Sequence, residues 1–393
     1  MALPLKYNFR NVAVRWRTSA STILGIALVV AVFVLLQALG QGIAKSSANT
    51  GDPRNVLVVR KGSQAESSSL ISREQVRTIQ YGAEIARNDA GEPLVSADII
   101  TLVSALRIDG SGEANLLLRG ISPRGLELRP QVSLVKGRMF QPGKREVVVA
   151  SRLAKRFANL DVGGTLKAGP DHLTVVGLID GGGSAFDSEA WMDVEEVRSL
   201  FERDMYSSLL IRPKDDTQLG ALTNRIGSDK RLALLAQREV DYYKTQTMTA
   251  TPVKIMANIL GTAMSIGAIF AAMNTMYASV GSRTREIGTL RVLGFSRRAV
   301  VACFLVEGVM IALIGGAVGC AVAVGLHTFV ISRGIMFGTI NFQSFSEIVF
   351  QFAVTPGLMV KGLLFSVAVG LAGSFLPALR AAKLPVISAL KSI

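Results

Sequence analysis

Side chains able to do chemistry are scarce in this chain and scattered along it. Its 393 residues include two histidines, His172 and His327, and two cysteines, Cys303 and Cys320. No His-x-x-x-His pair, serine nucleophile elbow or cluster with metal-ligand spacing occurs, so hydrolytic and metal-assisted catalysis lack a constellation. The cysteines share one apolar run, 17 positions apart. At about 1.5 Å per helical residue that is roughly 25 Å, beyond disulfide reach, which excludes a disulfide scaffold and a cysteine-based zinc site. Gly181–Gly183 offers amides that could cradle a phosphate, but the strand–loop–helix setting is missing and a plain turn is expected. Asp187, Glu189 and Asp193 read as a solvated acidic edge. Two features remain: Glu307, an acid inside an apolar run, and the arginines of residues 282–298.

The elements that must position them are membrane-like. Only 18% of residues are charged, 49% are apolar, and mean hydropathy is +0.39. Soluble domains carry about 25% charged residues. Four stretches reach the roughly 20 residues that a helical span needs: residues 21–43, 252–280, 299–331 and 358–381. The first has a small-x-small sequence, Ala38-Leu39-Gly40, that mimics a signal cleavage site. Its unbroken run from Ile23 to Leu36 and the three later spans favour a retained anchor.

Residues 44–251 separate the first two spans and read as an α+β domain. Asn55–Arg60, Asp98–Leu106, Glu146–Ala150 and Leu173–Ile179 are strand-like. Ser72–Gln80, Ser151–Ala158, Val194–Arg203 and Gln218–Ile226 have helical apolar spacing. Strands and helices alternate throughout, which suggests two small lobes rather than one doubly wound sheet. The expected fold is thus an α-helical membrane protein of four spans carrying a large extracytoplasmic α+β domain, with a short outer loop at 332–357.

Charge sets the orientation. The formal net charge of +14 is concentrated in three segments: residues 1–20, the 281–298 loop and the end of the chain from Arg380, which together hold 12 Lys/Arg and one acid. Residues 44–251 are nearly balanced. The positive-inside rule therefore puts both termini (the tail being residues 382–393) and the 281–298 loop in the cytoplasm, with the large domain outside. The basic charge is a topology signal, and nucleic acid is not an expected partner.

Leu5, Phe9, Val12 and Trp16 recur at helical spacing among basic residues, as in an amphipathic helix lying in the cytoplasmic headgroup layer. In the 281–298 loop, Ile287, Leu290 and Leu293 form one apolar stripe and Gly294 is a plausible C-terminal cap. Such a short arginine-bearing helix suits docking on a cytoplasmic partner; the alternative is a plain positive-inside loop. In the third span Ala312, Gly315, Gly316 and Gly319 form a small-residue stripe, for an intrachain contact or a dimer face. Glu307 lies about 13 Å inside that span and needs a partner; Arg297 or Arg298 is the expected one. Pro252 before span two and Pro377 near the end of span four permit bends.

The stretch TREIGTLRVLGFSRR from Thr284, continuing into FLVEGVMIALIGGAVG, resembles the signature of ABC-transporter permeases of the MacB/FtsX-like superfamily. The closing FLPALRAAKLPVISALKSI is similar to that superfamily's C-terminal motif, and SLVKGRMFQPGKREVVVASRLAKRF to the periplasmic core domain of its MacB-like members. The resemblance implies a non-catalytic permease of the bacterial inner membrane that pairs with a second copy or close homologue and binds two ABC ATPase subunits. The loop between spans two and three would be the coupling helix, with Arg285, Glu286, Gly288, Leu290, Arg291 and Gly294 at the ATPase contact. The sequence has no Gly-x-x-x-x-Gly-Lys-Ser/Thr loop, so ATP and magnesium are expected on a separate ATPase polypeptide. The cargo expected is hydrophobic or amphiphilic (a lipid, lipoprotein or drug-like molecule), with membrane lipids and a periplasmic adaptor as further partners. An FtsX-like module that signals to an envelope enzyme without transport is the alternative.

Overall fold

The computed structural model describes residues 16–246, 250–332, 337–340, 347–350 and 354–384. They fall into two compact units, one of long helices and one made by residues 42–251 with 335–351. The expected interfacial helix lies outside the described residues except from Trp16 onward, and so does the tail beyond Leu384.

The first helix, α1, runs Trp16–Ala48. The α/β unit follows with β1 (Val56–Arg60), α2 (Arg73–Gln80), β2 (Val95–Leu106), β3 (Glu113–Ile121), β4 (Ser133–Gly137), β5 (Glu146–Ala150), α3 (Ser151–Ala154) and β6 (Thr165–Ala168). It continues with β7 (Asp171–Asp180), β8 (Glu189–Asp193), α4 (Val194–Leu200), β9 (Ser208–Ile211), α5 (Asp216–Ser228), β10 (Leu234–Arg238) and α6 (Glu239–Gln246). The strand order is β10-β1-β9-β2-β3-β8-β5-β7-β4, with β6 paired to β7. Strands β1, β2, β9 and β10 with helices α2 and α5 make a β-α-β-β-α-β arrangement, into which β3 to α4 are inserted. β2 joins the two parts by changing partner: Val95–Asp98 pair with β9, and Ile99–Leu106 with β3. The sequence suggested two lobes; the strands form one continuous path, with apolar side chains gathered in two clusters.

The clusters explain the unbroken Val-Leu-Val-Val of β1. Val56 and Val58 face Val76 and Ile79 of α2 and Leu222 and Ile226 of α5. Leu57 and Val59 belong to the other cluster, with Trp191, Phe186, Tyr242 and Tyr243. Both faces are covered, so period-two alternation disappears from the sequence. One expected helix is shorter than its pattern: 151–158 is helical only to Ala154. The Ala158 amide then bonds the Leu106 carbonyl, and the Ile108 amide bonds that of Arg156, so tertiary bridging displaces the last turn.

The helical unit continues with α7 (Ala250–Ser282), α8 (Thr284–Val292), α9 (Arg297–Ser332) and α10 (Pro356–Lys383). Between the last two, β11 (Phe337–Ile340) and β12 (Glu347–Phe350) pair antiparallel. Helices α1, α7, α9 and α10 are each long and apolar enough to cross a membrane. Pro252 sits in the first turn of α7, where a missing amide costs little, and Pro377 lies inside α10.

The small residues of α9 are used within the chain, on two faces. A Cβ at Gly319 would lie 2.5 Å from the Ala27 carbonyl oxygen, and one at Gly315 3.0 Å from that of Ile23, so both glycines admit α1. Gly308, Ala312 and Gly316 instead meet Ser374, Gly370 and Ser366 of α10. Without a hydrophobic drive in lipid, such close backbone approach supplies the packing energy. Polar and aromatic ties add to it. The Thr22 hydroxyl bonds Thr275 at 2.8 Å, and the Phe33 and Phe365 rings stack at 4.4 Å.

Candidate coupling site

Helix α8 is held from below and closed at its end by its own sequence. Ile287 is buried with Met276 and Val280 of α7, Val300 and Phe304 of α9, and Ala378 and Ala381 of α10. At the C-terminus Gly294 has φ +90°, its amide bonds the Arg291 carbonyl, and the Phe295 amide bonds that of Leu290. This is a Schellman motif, for which glycine is the favoured residue. At the N-terminus Arg283 is buried, and its Nη1 donates to Glu307 Oε2 at 2.9 Å.

That pair corrects the expected partner of Glu307. Arg297 and Arg298 are exposed at the start of α9, and nine or ten helical residues place them about 13–15 Å along the axis from Glu307. Arg283 is brought alongside because α7 ends and the chain turns back toward α9. The ion pair thus fastens the N-terminus of α8 to α9.

The structure sorts the expected contact residues by direction. Arg285, Glu286 and Gly294 are exposed; Gly288 is buried, and Leu290 and Arg291 are half-buried. Arg291 Nη1 donates to the Phe295 carbonyl at 3.0 Å, so this side chain closes its own turn. Three residues absent from the expected set share the outer face: Thr289, Val292 and Leu293. Val292 and Leu293 are 60% and 69% exposed, which two large apolar side chains in water do not favour. With Arg285 and Glu286 they fall at i, i+1, i+4, i+7 and i+8, one stripe. The sequence groups Leu293 with Ile287 and Leu290 in one apolar stripe; the structure divides it, burying Ile287 and leaving Leu293 exposed.

In the α/β unit the acidic edge expected at Asp187, Glu189 and Asp193 is buried throughout. Asp187 accepts the amides of Gly181 at 2.7 Å and Gly183 at 2.9 Å, so the chain's own carboxylate fills the glycine turn. Glu189 accepts from Arg119 Nε at 2.7 Å and from the Trp191 indole at 2.7 Å. Asp193 accepts the Gly143 amide.

Glu189 belongs to a charge cluster centred on Arg119, only 1% exposed. Arg119 also donates to Glu66 at 2.9 Å and Asp98 at 3.3 Å. Arg129 bonds Asp98 from the other side and lies over the Phe186 and Trp191 rings. The hydroxyls of Ser208 and Tyr243 donate to Glu66 at 2.6 and 2.9 Å. Burial opposes the Arg119 charge, but Glu189 and Glu66 outweigh it and hold the guanidinium well above its ordinary value. Burial likewise pushes Glu66 up, and Arg119 more than reverses this. Glu239 differs: burial pushes its carboxyl up, and the attraction of Arg129 only partly offsets this. Burial, followed by the charge of Glu66, pushes the Tyr243 hydroxyl well up.

Comparison with known proteins places this architecture. Residues 19–228 match the MacB-like periplasmic core domain, and residues 258–386 match the FtsX-like permease C-terminal domain. The chain belongs to this MacB/FtsX-like family of ABC-transporter permeases. It is 28% identical over 402 residues to a macrolide export ATP-binding/permease protein, MacB, of Chromobacterium violaceum, covering 96% of this chain and 58% of that protein. It is 27% identical over 265 residues to the uncharacterized ABC transporter permease YknZ of Bacillus subtilis, covering 64% of this chain and 63% of that protein. A probable syringafactin export ATP-binding/permease protein, SyfD, of Pseudomonas syringae pv. tomato is 25% identical over 397 residues, covering 94% of this chain and 56% of that protein. The chain therefore spans less than two thirds of the length of these relatives.

Proposed function

We propose that this chain is the permease part of an ATP-driven exporter and that α8 is where the ATP-hydrolysing partner grips it. The carrying observation is the outer stripe of α8: two exposed apolar residues beside Arg285 and Glu286, on a short helix fixed by Ile287 and by the buried Arg283–Glu307 pair. A surface that must be displaced as a rigid lever needs this combination of outward apolar contact and firm seating. In this reading α8 and both termini are cytoplasmic, the α/β unit is extracytoplasmic, and the helices cross the cytoplasmic membrane. ATP and magnesium belong to the partner.

A second copy of the permease would pack on α7, the least covered of the four long helices. Ala263, Gly267, Ala271, Asn274 and Ala278 of α7 are all exposed at three- and four-residue steps. The stripe of α9 is committed to α1 and α10 instead. Among the described residues the long helices bury few charges, which supports a hydrophobic or amphiphilic cargo over a hydrophilic solute. Relatives named for macrolide and syringafactin export support export over a signalling role.

Val292→Asp with Leu293→Asp tests the reading. The pair should weaken co-purification of the ATPase at least tenfold while leaving membrane insertion and thermal stability unchanged, because neither side chain is buried. ATPase capture equal to wild type would refute the docking role.

A further inference from the structure

Two of the chain leads between the long helices and the α/β unit, the one after α1 and the one before α7, are tied together by one buried carboxyl. Asp52 follows the last residue of α1, Ala48, by four positions, and Gln246 precedes the first residue of α7, Ala250, by four. Glu239, at the start of α6, accepts the Asp52 amide at 2.9 Å and the Asn55 amide side chain at 2.8 Å, both on Oε2. Its own amide donates to the Asn55 carbonyl at 3.0 Å. One turn further, Tyr243 donates to Glu66 and so reaches the Arg119 cluster at the centre of the sheet. Both leads are therefore bolted to the sheet and to each other within a few residues of the long helices.

We infer that Glu239 is a positioning residue that locks the leads from α1 and to α7 into a single clamp, so that displacement of those helices reaches the sheet without slack. This rests on the ATP-driven reading given above. The geometry favours a clamp over simple packing. Among the described residues, Glu239 Oε1 is buried without a hydrogen-bond partner, and an apolar side chain would avoid that desolvation cost. What the carboxyl alone provides is an acceptor oxygen shared by two donors of the opposite lead. A glutamine can supply the same oxygen without the charge; an alanine cannot. Hydrogen-bonded ties of this kind transmit small displacements, because packed interiors respond by discrete rearrangement rather than smooth deformation.

Hydrogen exchange of the full complex in nanodiscs, with and without ATP and magnesium, tests the clamp. Wild type should show an ATP-dependent change both at residues 283–300 and at residues 50–60. Glu239→Ala should keep the first, reduce the second at least fivefold, and speed exchange of the Asp52 amide at least tenfold. Glu239→Gln should restore both toward wild type. Tyr243→Phe, which loses the hydroxyl's bonds to Glu66 and Arg119 but keeps the ring, should give an intermediate loss even if the alanine variant folds poorly. An undiminished ATP-dependent change at residues 50–60 in Glu239→Ala would overturn the clamp while leaving the exporter reading intact. No ATP-dependent change in wild type at either place would overturn the exporter reading, and the clamp with it.

Discussion

Two buried charge sites hold this molecule's working parts, and they are built in opposite ways. In the helical unit, Arg283 and Glu307 form one ion pair among apolar side chains, both about 5% exposed. In the α/β unit, Arg119 and Arg129 face the carboxyls of Glu66, Asp98 and Glu189, with Ser208, Tyr243 and Trp191 supplying further donors. A lone pair stands or falls on one contact and suits a joint, here the seat of α8. A cluster spreads its bonds over an element of β2, of β3, of β8 and of α6, and suits a hub that must not shift. The desolvation cost is larger in the cluster, but so is the number of hydrogen bonds that offset it.

The largest effect should come from breaking the hub. Arg119→Met removes the guanidinium that separates Glu66, Asp98 and Glu189 and leaves three carboxyls facing one another in a buried space. Removing one partner of a buried ion pair costs about 3–5 kcal/mol, and here three contacts go at once. Limited proteolysis of the detergent-purified protein should cut within residues 44–251 and spare the four long helices. A native digestion pattern would mean that the cluster is dispensable to the fold.

The joint should behave differently, and a double-mutant cycle separates the two cases. Glu307→Leu alone leaves Arg283 buried and uncompensated, at a cost of about 3 kcal/mol or more, with loosened α8 and weaker ATPase binding as the readouts. Arg283→Met combined with Glu307→Leu removes both charges and should recover most of the stability. If the ATPase then binds normally, the pair serves stability alone. If binding stays weak in a stable protein, the pair sets the angle of α8, as expected of a joint. At Arg119 no single second substitution should rescue, because several carboxyls remain.

The contrast also explains what could be read in the sequence. The four long helices were legible within a few residues, because twenty apolar positions in a row have few other uses. The C-terminal stop of α8 was legible from Gly294, and the strands at 56–60 and 146–150 from their β-branched runs. The Arg119 cluster was not. Glu66, Asp98, Arg119, Glu189 and Tyr243 come from five separate segments, and none has local spacing that marks it; a charged residue in a strand reads as solvent-facing until the sheet is covered on both sides. Asp187, Glu189 and Asp193 were misread for that reason. Arg283 was missed as the partner of Glu307 because sequence proximity pointed to Arg297 and Arg298, whereas the turn after α7 brings Arg283 alongside.

The smallest effect, and the one that checks whether buried and exposed pairs really differ, concerns Arg138 and Glu146. Arg138 donates both terminal nitrogens to Glu146, each at 2.6 Å, but its side chain is 48% exposed. The hydrogen bonds from Arg138 hold the Glu146 carboxyl down from 4.5 to about 2. A depressed carboxyl contributes stability above its ordinary value and loses it as pH falls, here between about 4.5 and about 2. Arg138→Gln should therefore raise the Glu146 pKa toward 4.5 and lower stability above pH about 4.5, the loss fading as pH falls toward about 2; screening by water and salt keeps that loss well below the cost of breaking the buried cluster. Carboxyl-carbon NMR titration of Glu146 checks the first point and unfolding measured across that pH range the second. Glu239 should respond in the opposite sense: its carboxyl is pushed up by burial, with Asp52, Arg212, Arg129, Glu66 and Tyr243 around it. The stability it contributes is full at low pH and is lost as pH rises through its folded value. If Arg138→Gln shifted neutral-pH stability as much as a break in the Arg119 cluster, burial would not be what sets the strength of these sites.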